Sequence, residues 1–422
     1  MAYIQRQLQE SVLQLSDRYP VVLVAGPRGA GKTAMLRMLM DVENMLPRGA
    51  MSDSGTQGKR IRCFVSLDDL RERDLARRDP GMFLKQHRPP VLIAEAQYAP
   101  ELFPAIRDHI RQGGSNGDFW MTGSHLYDLM DAVQAWLPDC LAVLNLFPLS
   151  GSELDGVEAV PFLPQREMLE GGCPTSVTME DVYFRIWRGG MPKLCSGRSE
   201  DWKYYYSRYL NSIVMRDVRD LNGGTDALKF LKFLSAAAER VGQVLNVRGI
   251  AEAAEIDQIT AKNWLSILAD LGLIYYLHPF EDPALKRTLK APKLYFHDTG
   301  LACYLLCLDA PEFLQDTAIS EALFENYAVS EVMRSYCCIG YTPKMYYYRD
   351  RDSAEISLLL KEGEVLYPIQ IRRTDAPTRR MVSAFAILEK NGITLGQGAI
   401  LCMTDRVEVL KNGVLTVPVS QI

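Results

Sequence analysis

Eight consecutive residues, Gly26, Pro27, Arg28, Gly29, Ala30, Gly31, Lys32 and Thr33, have the types and spacing of a phosphate cradle. The glycines let backbone N–H groups wrap an anion with no Cβ in the way. Lys32 is placed to reach the β- and γ-phosphates, and Thr33 to ligate Mg²⁺. Such a motif has meaning only between a strand and a helix. The apolar run Val21–Ala25 precedes it, and Lys32–Met45 reads as a helix whose N-terminus adds positive potential. The expected ligand is a nucleoside triphosphate, ATP with Mg²⁺.

A second apolar strand should end in the acidic residues that organise the metal and the attacking water. Val91–Ala94 is that strand, but the position expected to hold Asp is Ala94, and Glu95 follows. Mg²⁺ needs a well-fixed octahedron, and Thr33 with phosphate oxygens supplies only part of it. Binding should therefore survive while hydrolysis slows. Glu95 would polarise the water, stand in for the missing Asp, or be a strand-end surface charge. Thr122 and Ser124, at the end of the next strand, would contact the γ-phosphate or cap the following helix.

The elements that must hold these residues alternate. After a helix over 1–18 come strands at 21–25, 61–67, 91–94, 118–122 and 141–146, with helical stretches between them and a polar Gly/Ser loop at 47–60. That alternation implies a parallel sheet with helices on both faces. A Tyr- and Trp-rich helical connector follows over 155–222. Residues 223–310 hold helices at 228–240 and 246–254, a third with the apolar stripe Trp264, Ile267, Leu268 and Leu271, then strands at 273–277 and 293–296. From 311 the pattern is a helix over 311–335, strands at 345–348, 354–360 and 365–372, a helix over 378–390 and a strand at 398–403.

Composition bounds the rest. The 422 residues are 48% hydrophobic and 23% charged, ordinary values for a globular chain of several domains. The net charge of −5 gives no global basic field for nucleic acid. No apolar run approaches the roughly 18 residues of a membrane span, and the N-terminus lacks a signal-peptide h-region, so a cytoplasmic protein is expected. The nine cysteines form no CxxC pair, and the five histidines no HxH or HExxH, so buried thiols and no transition metal are expected.

Taken in order, GPRGAGKTAML (26–36), AEAQYAPELFPAI (94–106), FWMTGSHLYDLM (119–130), LNLFPLSGSEL (144–154), IWRGGMP (186–192), KLYFHDTGLACYLL (293–306), ALFENYAVSEV (322–332) and YPIQIRRT (367–374) resemble the prokaryotic AAA+-type ATPases that end in a DUF4143 domain. The resemblance covers nearly the whole chain. It implies a P-loop ATP-binding domain at 1–154, a helical lid or connector at 155–222, a winged-helix-like domain at 223–310 and a DUF4143 domain like PD-(D/E)xK nucleases at 311–422. It also implies ATP binding and proposed hydrolysis.

The departures from that family matter as much. Its strand-end Asp-Glu is Ala94-Glu95 here. Its Gly-Arg before the fifth strand, a plausible γ-phosphate or arginine-finger contact, is Asp139-Cys140. Its Glu-Val/Ile-Asp is Glu355-Ile356-Ser357, and its Ile-Glu-Ile/Val-Lys is Ile369-Gln370-Ile371-Arg372. Two metal-holding carboxylates are thereby lost, and Glu325 on the upstream helix cannot build a nuclease site alone. Arg372, Arg373, Arg379 and Arg380 would hold a DNA or RNA backbone or form a solvated basic face. The third middle-domain helix exposes Lys262, Asn263 and Ser266 with Asp270 opposing, near Lys286, Arg287 and Lys290. That suits a weakly basic groove reader or a protein-interaction or interdomain module. The resulting expectation is a nucleotide-dependent switch with slow hydrolysis. The alternative is a non-hydrolysing nucleotide-gated scaffold or nucleic-acid-binding regulator.

Overall fold

The structure is a computed structural model, and it describes residues 3–45, 61–124, 126–170, 177–197, 201–212, 227–285 and 288–422. The predicted loop at 47–60, Cys173, Lys286 and Arg287 lie wholly or mostly outside these residues. Strands β1 (Val21–Ala25), β2 (Cys63–Ser66), β3 (Val91–Ala94), β4 (Phe119–Gly123) and β5 (Leu141–Asn145) form one parallel sheet in the order β2-β3-β4-β1-β5. β1, β3 and β4 are buried along their whole length. This is why they read as continuous apolar runs, since helices cover both faces of a parallel sheet. The order has one consequence for chemistry. β4 lies between β1, which leads into the cradle, and β3, which ends before Glu95. The hydroxyls at the end of β4 therefore stand between the cradle and Glu95.

The middle unit packs helices Ala227–Ala238, Val247–Ala253 and Gln258–Asp270 against the antiparallel pair β6 (Ile274–Leu277) and β7 (Lys293–Phe296). Asp257 caps the third helix by accepting from the N–H groups of Ile259 and Thr260, as expected. Lys262, Asn263 and Ser266 are exposed on it, but Asp270 is buried at 7% exposure and does not oppose them on the surface. The connection between β6 and β7 is not a free loop. Phe280 N donates to Tyr347 O at 2.7 Å and Leu289 N to Arg349 O at 2.9 Å, so it lies along the next sheet.

That sheet is mixed, in the order β12-β13-β11-β10-β9-β8, with β8 (Lys344–Arg349), β9 (Glu355–Glu362), β10 (Val365–Ile371), β11 (Ala399–Cys402), β12 (Glu408–Val409) and β13 (Leu415–Pro418). Three expected helices differ from the sequence reading, the first being that over 1–18, which is helical only over Leu8–Ser16. The helix expected over 311–335 is a short helix, Phe313–Asp316, and a long one, Ser320–Cys337. The helix expected over 378–390 is a 3-10 turn, Arg379–Val382, and a helix, Phe385–Lys390. The Ser320–Cys337 helix is buried nearly all round. Its polar groups then need internal partners, and they find them on the P-loop domain, the connector and the middle unit. Glu331 accepts from Gly151 N at 2.8 Å, Arg334 donates to His297 O at 2.7 Å, and Ser335 Oγ accepts from Phe162 N at 3.0 Å.

Candidate nucleotide site

The cradle turns on three glycines with positive φ: Gly26 at +148°, Gly29 at +82° and Gly31 at +96°. At Gly26 the reason is also steric, because a Cβ there would sit 2.0 Å from Leu146 O. The loop's carbonyls are tied down from outside. Arg6 Nη1 donates to Ala30 O at 2.6 Å, while its Nε pairs with Glu153 at 2.9 Å and its Nη2 donates to Phe147 O at 2.7 Å. Tyr209 Oη donates to Arg28 O at 3.0 Å. Beside the loop lies a cavity of about 410 Å³ lined by Arg28, Gly29, Gly31, Lys32, Thr33 and Glu95, by the N-terminal Tyr3 and Ile4, and by Pro192, Lys193 and Ser196 of the connector.

Lys32 is buried, and its ammonium donates to Gly26 O at 2.8 Å, Pro27 O at 2.9 Å and Ser124 Oγ at 3.0 Å. It is folded back on its own loop rather than extended toward phosphate positions. All three of its protons are committed, so a phosphate must displace at least one of these acceptors to reach it. Burial brings Lys32 down to about 8, Glu95 pulling it upward and Arg28 pushing it further down. Ser124 passes the contact on, its Oγ lying 3.1 Å from Glu95 Oε2. Gln97 Nε2 donates to the same oxygen at 2.7 Å. Burial raises the Glu95 carboxyl, yet the Lys32 charge and the Gln97 hydrogen bond outweigh it and hold Glu95 below the ordinary carboxylate range.

Thr122 holds the other half. Its Oγ1 accepts from Glu95 N at 3.1 Å and lies 3.5 Å from Thr33 Oγ1. Ala94 is buried at the end of β3, so the polar neighbour of Thr33 is a neutral hydroxyl where a carboxylate was expected. Glycine cradle, ammonium and Thr33 suit a triphosphate with Mg²⁺, because that ion keeps several waters and takes phosphate oxygens beside few protein ligands. Thr33 would hold it, and the ion would supply charge neutralisation at the phosphates.

All the expected cradle residues, with Glu95, Thr122 and Ser124, come together. Asp139 and Cys140 do not. Cys140 O accepts from Val21 N, at the start of β1, while the cradle follows its end. Five residues of strand place that position roughly 15 Å from the cradle, too far for a contact to the same chain's phosphates. Arg6, Gln97, Tyr209 and Lys193 were not anticipated. Arg6 carries no local signal, since its partners are 24 to 147 residues away in sequence.

The second expected cluster also assembles, with an unexpected member. Ser357 Oγ donates to Glu325 Oε2 at 3.0 Å, so the two positions do share a site. Lys293 of β7 enters it, its Nζ lying 2.8 Å from Glu325 Oε1 and 2.5 Å from Glu355 Oε1. Gln370 is fully buried there. Of the four arginines, Arg372 and Arg373 are partly engaged within the protein. Arg373 donates to Tyr183 Oη at 3.0 Å, and its N–H faces Glu321. Arg372 lies 4.0 Å from the same carboxylate. Arg379 and Arg380 are exposed.

Compared with known proteins, residues 18–154 match an AAA domain, 179–312 a domain of unknown function, DUF8612, and 320–422 another, DUF4143. An uncharacterized protein of Mycobacterium tuberculosis is 26% identical over 409 residues, covering 96% of this chain and 81% of its own. An uncharacterized protein of Mycobacterium bovis matches with the same figures. Among solved structures, a Walker-type ATPase of Pyrococcus abyssi aligns with a TM-score of 0.43 at 15% identity, over 72% of this chain and 96% of that one. No helix among the described residues is long and apolar enough to cross a membrane.

Proposed function

The chain is an AAA-type P-loop protein with a C-terminal DUF4143 domain, and from that premise we propose that it binds ATP with Mg²⁺ as a conformational switch and hydrolyses it slowly. One observation carries the reading: Thr33 has the Thr122 hydroxyl 3.5 Å away, and Ala94 stands where the metal-organising Asp was expected. A neutral oxygen fixes a divalent ion less firmly than a carboxylate. Glu95 adds to the deficit. A carboxylate held below its ordinary range is a weak base at neutral pH, so it orients a water better than it takes a proton from one. The switch follows from the tethers on the loop. Phosphate entry must free Lys32 from at least one of its acceptors, and Arg6 and Tyr209 connect that loop to the rest of the molecule.

The middle unit is read as a winged helix used internally, because its β6–β7 connection lies along β8 rather than in solvent. The C-terminal unit is read as a nuclease-like sheet without cleavage activity. A specific observation also favours the non-hydrolysing scaffold, namely the depressed Glu95. ATP binding and turnover separate the two readings when measured on wild type, Lys32→Ala and Ala94→Asp. The switch predicts tight binding, measurable turnover that Lys32→Ala abolishes, and a turnover increase of about tenfold or more in Ala94→Asp. Binding with no turnover in wild type selects the scaffold. Unchanged binding in Lys32→Ala would sink the assignment of the site.

A further inference from the structure

The polar cluster between the middle unit and the C-terminal sheet is built around a cation that the protein supplies itself. Lys293 sits on β7 at 2% exposure. Its ammonium bridges Glu325 of the Ser320–Cys337 helix and Glu355 at the start of β9. The remaining acceptor positions are filled as well. Tyr295 Oη donates to Glu325 Oε1 at 2.7 Å, Ser357 Oγ to Glu325 Oε2, and Arg349 lies 3.3 Å from Glu355 Oε2. Carboxylates from a helix and a strand converging on one point are the donor set of a divalent ion. Here that point holds a tethered ammonium.

We propose that Lys293 is the resident cation of this site, taking the place of a divalent metal, and that the site clasps the middle unit to the C-terminal sheet. A second feature supports the clasp independently. The β6–β7 connection is hydrogen-bonded along β8, and Tyr347 Oη, on that strand, donates to Ala291 O at 2.5 Å, two residues before Lys293. Main-chain docking sets the approach of β7, and the ammonium closes it. The proposal does not depend on the nucleotide reading, because neither carboxylate lines the cradle.

The consequence is one of charge balance. Removing the ammonium leaves the buried Glu325 carboxylate without a cation, beside a Glu355 that keeps Arg349, which costs much more than removing the ammonium and the Glu325 charge together. Thermal unfolding of the full chain, with and without 1 mM Mn²⁺ and no nucleotide, tests this on wild type, Lys293→Met, Lys293→Met/Glu325→Gln and Glu325→Gln. Lys293→Met should lower the midpoint by about 5 °C or more. Glu325→Gln added to it should recover part of that loss. Mn²⁺ should raise the midpoint of Lys293→Met and leave wild type and the double variant unmoved. The proposal is overturned if Mn²⁺ stabilises wild type through Glu325, since a metal would then be the resident ion. It is equally overturned if Lys293→Met melts like wild type. Should Lys293→Met fail to fold, the charge-balanced Lys293→Met/Glu325→Gln variant, which leaves Glu355 paired with Arg349, takes its place. That variant folds if the unpaired carboxylate is the defect, and its failure to fold rejects the clasp.

Discussion

Lys32 is an ammonium kept from water by its own loop, and its chemistry depends on pH for that reason. Burial brings it to about 8, against an ordinary value of 10.5. An anionic phosphate in place of a neutral acceptor favours the charged form. Nucleotide binding near pH 8.5 should therefore take up a fraction of a proton, and at pH 7 almost none. Calorimetry in two buffers of different ionisation enthalpy reads this directly, and no uptake at pH 8.5 would contradict the buried geometry. The same shift has a stability sign. Between about pH 8 and 10.5 the unfolded chain holds the Lys32 proton and the folded chain does not. This residue's contribution to stability thus rises with pH across that window.

The N-terminal segment and the helix Gly151–Asp155 act on the cradle as elements rather than as single groups. Arg6 joins them, binding Ala30 O, Phe147 O and Glu153 at once. Glu153 is also the third residue of a capping box with Ser150, so the pair anchors a helix end and a phosphate loop together. Arg6→Ala should cost about 3–5 kcal/mol, because it strands a buried carboxylate and a loop carbonyl. Arg6→Ala/Glu153→Gln should cost clearly less. Urea unfolding of both variants decides it, and equal costs would place the stabilisation in side-chain packing. Arg6→Lys should rescue little, since an ammonium cannot reproduce the fork that meets three acceptors.

Across the whole molecule, the three units meet at His297. Its ring stacks on Phe147 with centroids 4.5 Å apart and lies tilted against Tyr275 at 4.6 Å, and its carbonyl accepts from Arg334. Burial, with the Arg334 charge, pushes the imidazole down to about 3. Between that value and the ordinary 6.5, the unfolded chain binds a proton that the folded chain refuses, so stability present above pH 6.5 is lost as pH falls. Melting midpoints from pH 7 to pH 4 should fall steeply for wild type and less steeply for His297→Gln. Parallel curves would mean that the acid sensitivity resides in other groups.

The cradle and the parallel sheet were legible in the sequence because their signals are local. A glycine pattern, a strand before it and a helix after it all fall within 25 residues of one another, and fully buried strands read as apolar runs. The positions of Ala94, Glu95, Thr122 and Ser124 were legible for the same reason, each closing a recognisable strand. Tertiary structure alone decided which groups hold which. The long-range partners of Arg6, the entry of Lys293 between Glu325 and Glu355, and the engagement of Arg373 by Tyr183 depend on contacts between units. The burial of the Ser320–Cys337 helix on nearly every side does too. Side-chain periodicity reports the face an element hides, but not the partner that hides it, and here those partners lie tens to hundreds of residues away.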